Sequence, residues 1–177
     1  MQFIQVFDDR ILNFIQENLR SPIMDRVIPF ITSLGNGGFI WIAIAIIFII
    51  TKKYRKYGLI MIPTLIICGL IGDVTIKPLV GRERPFNITE GIELLIKAPT
   101  GFSFPSGHTM SSFAAAAIIS KANNKFGILA FILAALIGFS RMYLYVHYPS
   151  DVLVGCILGI IFSSIIYKII NSKLENC

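Results

Sequence analysis

FGILAFILAALIGFSRMYLYVHYPSD, residues 126–151, is the stretch that decides the fold. From Phe126 to Ser140 it carries no charge and no proline. Continued to Val146, it is long enough to cross the hydrocarbon of a bilayer as a helix. Arg141 interrupts the apolar run, His147 follows six residues later, and Asp151 four after that. A guanidinium among apolar residues is costly unless it meets an anion or a polar cavity. Pro149 suits the first turn of a new helix, which predicts a further span ending near Ile170. His147 and Asp151 are then one helical turn apart, close enough for the carboxylate to reach the imidazole and fix its tautomer.

The rest of the composition agrees with a lipid solvent. The chain has 177 residues, 55% hydrophobic and 15% charged, against about 25% charged in soluble domains. That length is one domain's worth. The net charge of +6 is spread along the chain, which argues against nucleic acid and for topology or anionic lipid. Cys68, Cys156 and Cys177 form no C-x-x-C pair and no disulfide framework; they read as free thiols. Asp8, Asp9 and Arg10 fall where the apolar region of a cleaved signal peptide would run.

Working outward, the expected fold is an all-α polytopic membrane bundle of five or six spans, preceded by an interfacial helix over residues 1–22. Phe3, Ile4, Phe7, Ile11, Phe14 and Ile15 recur at helical spacing, with Asp8, Asp9, Gln16 and Glu17 on other faces. Val27 to Thr51 reads as one span broken at Gly35-Asn36-Gly37-Gly38, or as a re-entrant turn. Tyr57 to Ile76 is the next span, with Pro63 inside and Asp73 near its end. Residues 77–104 are the longest polar stretch. A helix follows from Ser106 to Ser120, whose Ser111, Ser112 and Ala114 to Ala117 suit close packing. If the spans alternate, the ends near Lys77, Ser106, Arg141 and Pro149 share one face, opposite the basic loops at 52–56 and 121–125.

Three clusters therefore converge. Lys77, Arg82 and Arg84 follow a span; alone, such cations only orient a helix. Ser106-Gly107-His108 opens a helix, where free N–H groups and the helix dipole favour an anion; alone, the histidine reads as a cap. Arg141, His147 and Asp151 form the third, for which a structural Arg–Asp pair is the plainer reading. Together they place three cations and the chain's two histidines at one end of a lipid-embedded bundle. Arg forks match phosphate oxygens and Lys adds a point charge. Two histidines suit a two-step transfer, one attacking phosphorus and the other protonating the leaving oxygen.

Lys77-x6-Arg84-Pro85, Pro105-Ser106-Gly107-His108 and Ser140-Arg141-x5-His147-x3-Asp151 resemble the tripartite signature of the type-2 phosphatidic acid phosphatase superfamily. The resemblance spans residues 77–151 and implies a lipid phosphatase. It implies that His147 is the nucleophile forming a phosphohistidine, that Asp151 orients it, and that His108 is the general acid. Lys77, Arg84, Ser106, Gly107 and Arg141 would hold the phosphate. Neither a metal nor another cofactor is expected. Arg82 and Glu83 lie at variable positions of the first motif and are assigned no role. Asp73, one turn before Lys77, is a supporting candidate through an ion pair with Lys77 or another site cation.

Basic residues favour an extracytoplasmic site. Eight lie on the opposite face (Lys52, Lys53, Arg55, Lys56, Lys121, Lys125, Lys168 and Lys173). Five remain on the site face outside the motifs (Arg10, Arg20, Arg26, Arg82 and Lys97), and positive loops stay cytoplasmic. The expected partners are the bilayer and a lipid phosphate, foremost a polyprenyl diphosphate such as undecaprenyl diphosphate. Phosphatidylglycerophosphate, another phospholipid or lipid A is the alternative. Residues 86–104 are expected to cover the site or to lie as an interfacial loop. A rival from another class is a non-catalytic anionic-lipid transporter or receptor, which needs the cations but not the oriented histidine.

Overall fold

The computed structural model describes the backbone of residues 2–175, and the side chains of 3–173. Cys177 lies outside the described residues. The described chain is helical with no strand. Its longer helices are α1 (Gln2–Asn18), α2 (Pro22–Leu34), α3 (Phe39–Ile50), α4 (Arg55–Gly69), α7 (Gly107–Ala122), α8 (Asn124–Tyr143) and α9 (Pro149–Glu175). Two short helices, α5 (Lys77–Val80) and α6 (Pro85–Ile88), lie in the polar stretch.

Local chemistry explains most boundaries. The Ser21 hydroxyl accepts from Met24 N–H, and Pro22 opens α2. Gly37 and Gly38 take φ of +57° and +71°, a conformation cheap only for glycine. They bend α2 against α3 by 47°, so the expected break is a sharp corner. Asn123 caps α8 by accepting from Lys125 and Phe126 N–H. That helix ends three residues short of the expected Val146, because Tyr145 takes a left-handed φ of +59° and turns the chain. Leu70–Ile76 winds as a π-helix carrying Asp73.

Arg55–Ile88, α8 and α9 are long and apolar enough to cross a membrane, and the bent α2–α3 pair is either a fourth, broken span or a re-entrant loop. Their outward sides are apolar: Ile128, Leu129 and Ile132 on α8 and Leu153 and Ile157 on α9 are exposed. Water would not tolerate so continuous an apolar exterior, and lipid does. The centre is α7, packed against α4, α8 and α9. Ala114 to Ala117 are buried there. Gly159 of α9 lies so close that a Cβ would stand 2.4 Å from Met110 O, and one on Gly155 2.7 Å from Ser106 O. Such contacts need small residues, as in other membrane bundles. Trp41 of α3 is fully buried and donates its indole N–H to Ser112 Oγ at 2.9 Å.

Helix α1 departs from the expected wheel. Phe3, Phe7 and Phe14 are exposed while Leu12 and Ile15 are buried, so an apolar side does face outward. Asp8, assigned to a polar outer face, is fully buried. Its helix face packs on another polar surface rather than on water.

Candidate active site

The ends expected to meet do meet. A cavity of about 300 Å³ is lined by Asp73, Lys77, Arg84, Gly107, His108, Arg141 and His147, with Gly35, Gly37 and Gly38 from the bent corner and Pro99 from the long loop. Each cationic side chain comes from a different segment, and the apolar bundle walls raise the strength of every charge interaction inside.

His147 sits in the turn between α8 and α9, 2% exposed. Arg84 Nη1 stands 3.2 Å from His147 Nε2. An arginine can only donate, so Nε2 is the acceptor and the ring proton is on Nδ1. Nδ1 faces Asp151 Oδ2 at 3.6 Å, long for a hydrogen bond. The lone pair of His147 therefore points to the guanidinium that lines the cavity. Burial, reinforced by Arg141 and Arg84, pushes the His147 imidazole down to about 3 despite Asp151. The ring is neutral at physiological pH, as a nucleophile must be.

Arg84 is held in place by backbone. Nε donates to Gly101 O at 2.9 Å, Nη1 to Val146 O at 2.9 Å and Nη2 to Thr100 O at 3.3 Å. It thereby ties the 86–104 loop to the turn that carries His147. Leu94, Leu95 and Ile96 of that loop pack against Tyr143, Leu144 and Val146. Arg141 is buried and donates through Nη1 to Thr32 Oγ1 at 2.6 Å, while its Nε has no partner. A buried unpaired guanidinium nitrogen beside a cavity is a place for an anion's oxygen. Lys77 Nζ pairs with Asp73 Oδ1, the partner expected for Asp73.

His108, in the first turn of α7, lines another side of the cavity. Its Nε2 lies 2.9 Å from Asn36 Oδ1, and Gly35 leaves only enough room for the ring, since a Cβ there would stand 2.9 Å from His108 Cδ2. Asn36 was not singled out in the sequence; Gly-Asn-Gly-Gly read only as a break. Gly107 is equally constrained, with a Cβ meeting Asp73 Oδ1 at 2.9 Å. Ser106 and Asp151 stand behind the cavity wall. Ser106 is fully buried, and its hydroxyl accepts from Thr109 N–H and Thr109 Oγ1. Its N–H donates to Asp151 O at 3.1 Å, joining the second and third motifs. Asp151 is fully buried behind His147.

Arg82, to which the sequence assigned nothing, pairs with both Asp151 Oδ1 and Asp8 Oδ2 at 2.7 Å. Among the described residues no three His, Cys, Asp or Glu side chains gather as metal ligands would.

Residues 53–175, more than half of the chain, match the sequence model of the PAP2 superfamily. The chain belongs to that superfamily. An undecaprenyl-diphosphatase of Sulfolobus acidocaldarius is 32% identical over 77% of this chain and 66% of its own length, just under two thirds. A lipid A 4'-phosphatase of Bacteroides thetaiotaomicron is 29% identical over 90% of this chain and 75% of its own. The crystal structure of a transmembrane PAP2-type phosphatidylglycerolphosphate phosphatase from Bacillus subtilis superposes with a TM-score of 0.78 at 26% identity, covering 97% of this chain and 88% of the other. The family expected from the three motifs is the family found. These three relatives carry phosphatase names, the enzyme class expected, and the apolar helices make this chain an integral membrane protein.

Proposed function

We propose that this PAP2 protein hydrolyses a lipid phosphate or diphosphate, without a metal, through a phosphohistidine on His147. The observation that carries the reading is His147 Nε2 standing 3.2 Å from Arg84 Nη1 at a cavity lined by Lys77, Arg84 and Arg141. A phosphate oxygen bound to Arg84 and Arg141 brings its phosphorus within reach of Nε2. Nε2 attacks, the bond from phosphorus to the lipid oxygen breaks, and His108 gives that oxygen a proton. Asn36 Oδ1 accepts from Nε2–H of His108, so the ring enters this step as an imidazolium whose second proton, on Nδ1, goes to the lipid oxygen. Asp151 steadies the charged His147 that forms. Water then attacks the phosphohistidine, passes a proton to His108 and releases inorganic phosphate. The fixed cations supply the charge stabilisation. Ser106 and Gly107 contribute the start of α7, whose free N–H groups favour an anion.

The preferred substrate is a polyprenyl diphosphate, with phosphatidylglycerophosphate or lipid A as the alternative; relatives named for each of the three exist. We read 1–177 as one phosphatase domain of five spans, α7 being the fifth, with α1 in the interface. The site faces outward. The basic residues outside the motifs, eight on the opposite face against five on this one, support that orientation. Transport of an anionic lipid would not need the lone pair of His147.

Purified protein in detergent and chelator should release phosphate from undecaprenyl diphosphate faster than from phosphatidylglycerophosphate or phosphatidic acid. His147→Ala should lose the activity by a factor of at least about 10⁴. Equal release by that variant would end the enzyme reading.

A further inference from the structure

Arg82 makes four side-chain hydrogen bonds beside the site, yet it does not line the cavity. Nη1 donates to Asp151 Oδ1 and Ser150 Oγ, each at 2.7 Å. Nη2 donates to Asp8 Oδ2 at 2.7 Å and Gln5 Oε1 at 3.0 Å. The guanidinium plane lies over the Tyr148 ring, 3.8 Å from its centroid. Asp8 also accepts from Ser150 N–H at 2.8 Å and from the Ser150 hydroxyl. It thus satisfies a first-turn N–H of α9 that the helix itself leaves free. Asp151 accepts from Tyr148 N–H at 2.9 Å and from the Ser103 hydroxyl, both on Oδ2. Oδ2 is the oxygen that faces His147, so the arginine on Oδ1 sets the plane in which Oδ2 is presented.

We infer that Arg82 and Asp8 are positioning residues for the nucleophile: α1 reaches across the bundle end with a buried carboxylate that locks Arg82, and Arg82 locks Asp151 behind His147. The inference rests on the phosphohistidine reading. Two fully buried carboxylates, Asp8 and Asp151, share this one guanidinium. A buried carboxylate beside another, without a cation, takes up a proton far more readily. The titratable and charged groups facing Asp151 are Arg82, Arg84, the neutral His147 and Tyr148, with Asp8 beyond Arg82. A protonated Asp151 cannot support the imidazolium that forms during transfer.

The two ends of the relay therefore have opposite signatures. Arg82→Gln leaves two carboxylates unneutralised, so the acid limb of the kcat profile should move up by about one pH unit. Its kcat should fall about 100-fold with KM little changed, as for a misplaced reacting group. Asp8→Asn keeps the Ser150 acceptor but removes a negative charge, so kcat should fall less, about 10-fold, and the acid limb should not rise. Arg82→Lys keeps the charge without the fork and should lower kcat with the limb in place. All are measured by phosphate release in detergent, on protein shown by gel filtration to be folded. Unchanged kcat in Arg82→Lys and Asp8→Asn would overturn the inference. So would a loss of kcat in Arg82→Gln with an unmoved acid limb. If Arg82→Gln does not fold, the other two variants decide. If the wild type releases no phosphate, the phosphatase reading fails first and takes this inference with it.

Discussion

A histidine ring enclosed between Arg84 and Arg141 resists protonation long after a free ring has accepted a proton. His147 in the folded chain titrates at about 3, whereas in the unfolded chain it titrates near 6.5. Between those values the unfolded state binds more protons, so stability rises with pH across the window and falls as pH drops. The slope contributed by this one group is at most about 1.4 kcal/mol per pH unit. Melting temperature in detergent should therefore decline from pH 7 to pH 5, and His147→Gln should flatten the decline. An identical decline in that variant would show that His147 is not the group responsible. The same depressed value predicts a nucleophile still unprotonated at pH 5. The residues found from sequence each had an innocent explanation alone, an orienting charge for Lys77 and Arg84, a cap for His108 and a structural ion pair for Arg141, and were found because three motifs pointed to one end of the bundle. Asp8 had only an innocent explanation. A helical wheel places it beside Asp9 on a polar face, and a wheel carries no information about which polar surface that face will meet. Arg82 was given no role because it stands at a variable position of the first motif, and spacing carries no information about which carboxylates a loop cation will meet.

At the scale of elements, helix existence was legible and helix partnership was not. The apolar runs gave α4, α8 and α9, and the glycine-rich break gave the corner between α2 and α3. Nothing in Gly35-Asn36-Gly37-Gly38 showed that this corner would lie against His108. Nor did Gly155 and Gly159 announce the contact with α7, although both are spaced for close approach. That contact matters because α7 carries Ser106 to His108 and α9 carries Asp151. Gly159→Ala puts a methyl 2.4 Å from Met110 O, and α9 must retreat. Overpacking of this kind costs about 1–3 kcal/mol. The variant should melt several degrees lower and lose kcat, while Ile161→Val on the exposed side of α9 should do neither. If Gly159→Ala matched the wild type in both, the close packing of α7 on α9 would not be what aligns the motifs.

At the scale of the whole molecule, the bundle is short where it works. Helix α7 has 16 residues, about 24 Å at 1.5 Å per residue, against hydrocarbon about 30 Å thick. The cavity at its start, taken as one end of a span, therefore lies below the level of the head groups rather than above it. On the proposed function, a lipid substrate would then react without leaving the membrane, its head group entering from the side. Encounter becomes a search in two dimensions, and the concentration that counts is the number of substrate molecules per unit of membrane area. In mixed micelles of constant substrate and enzyme, adding inert detergent should slow phosphate release in proportion to the falling mole fraction. A rate that followed only bulk concentration would mean that the substrate arrives through water.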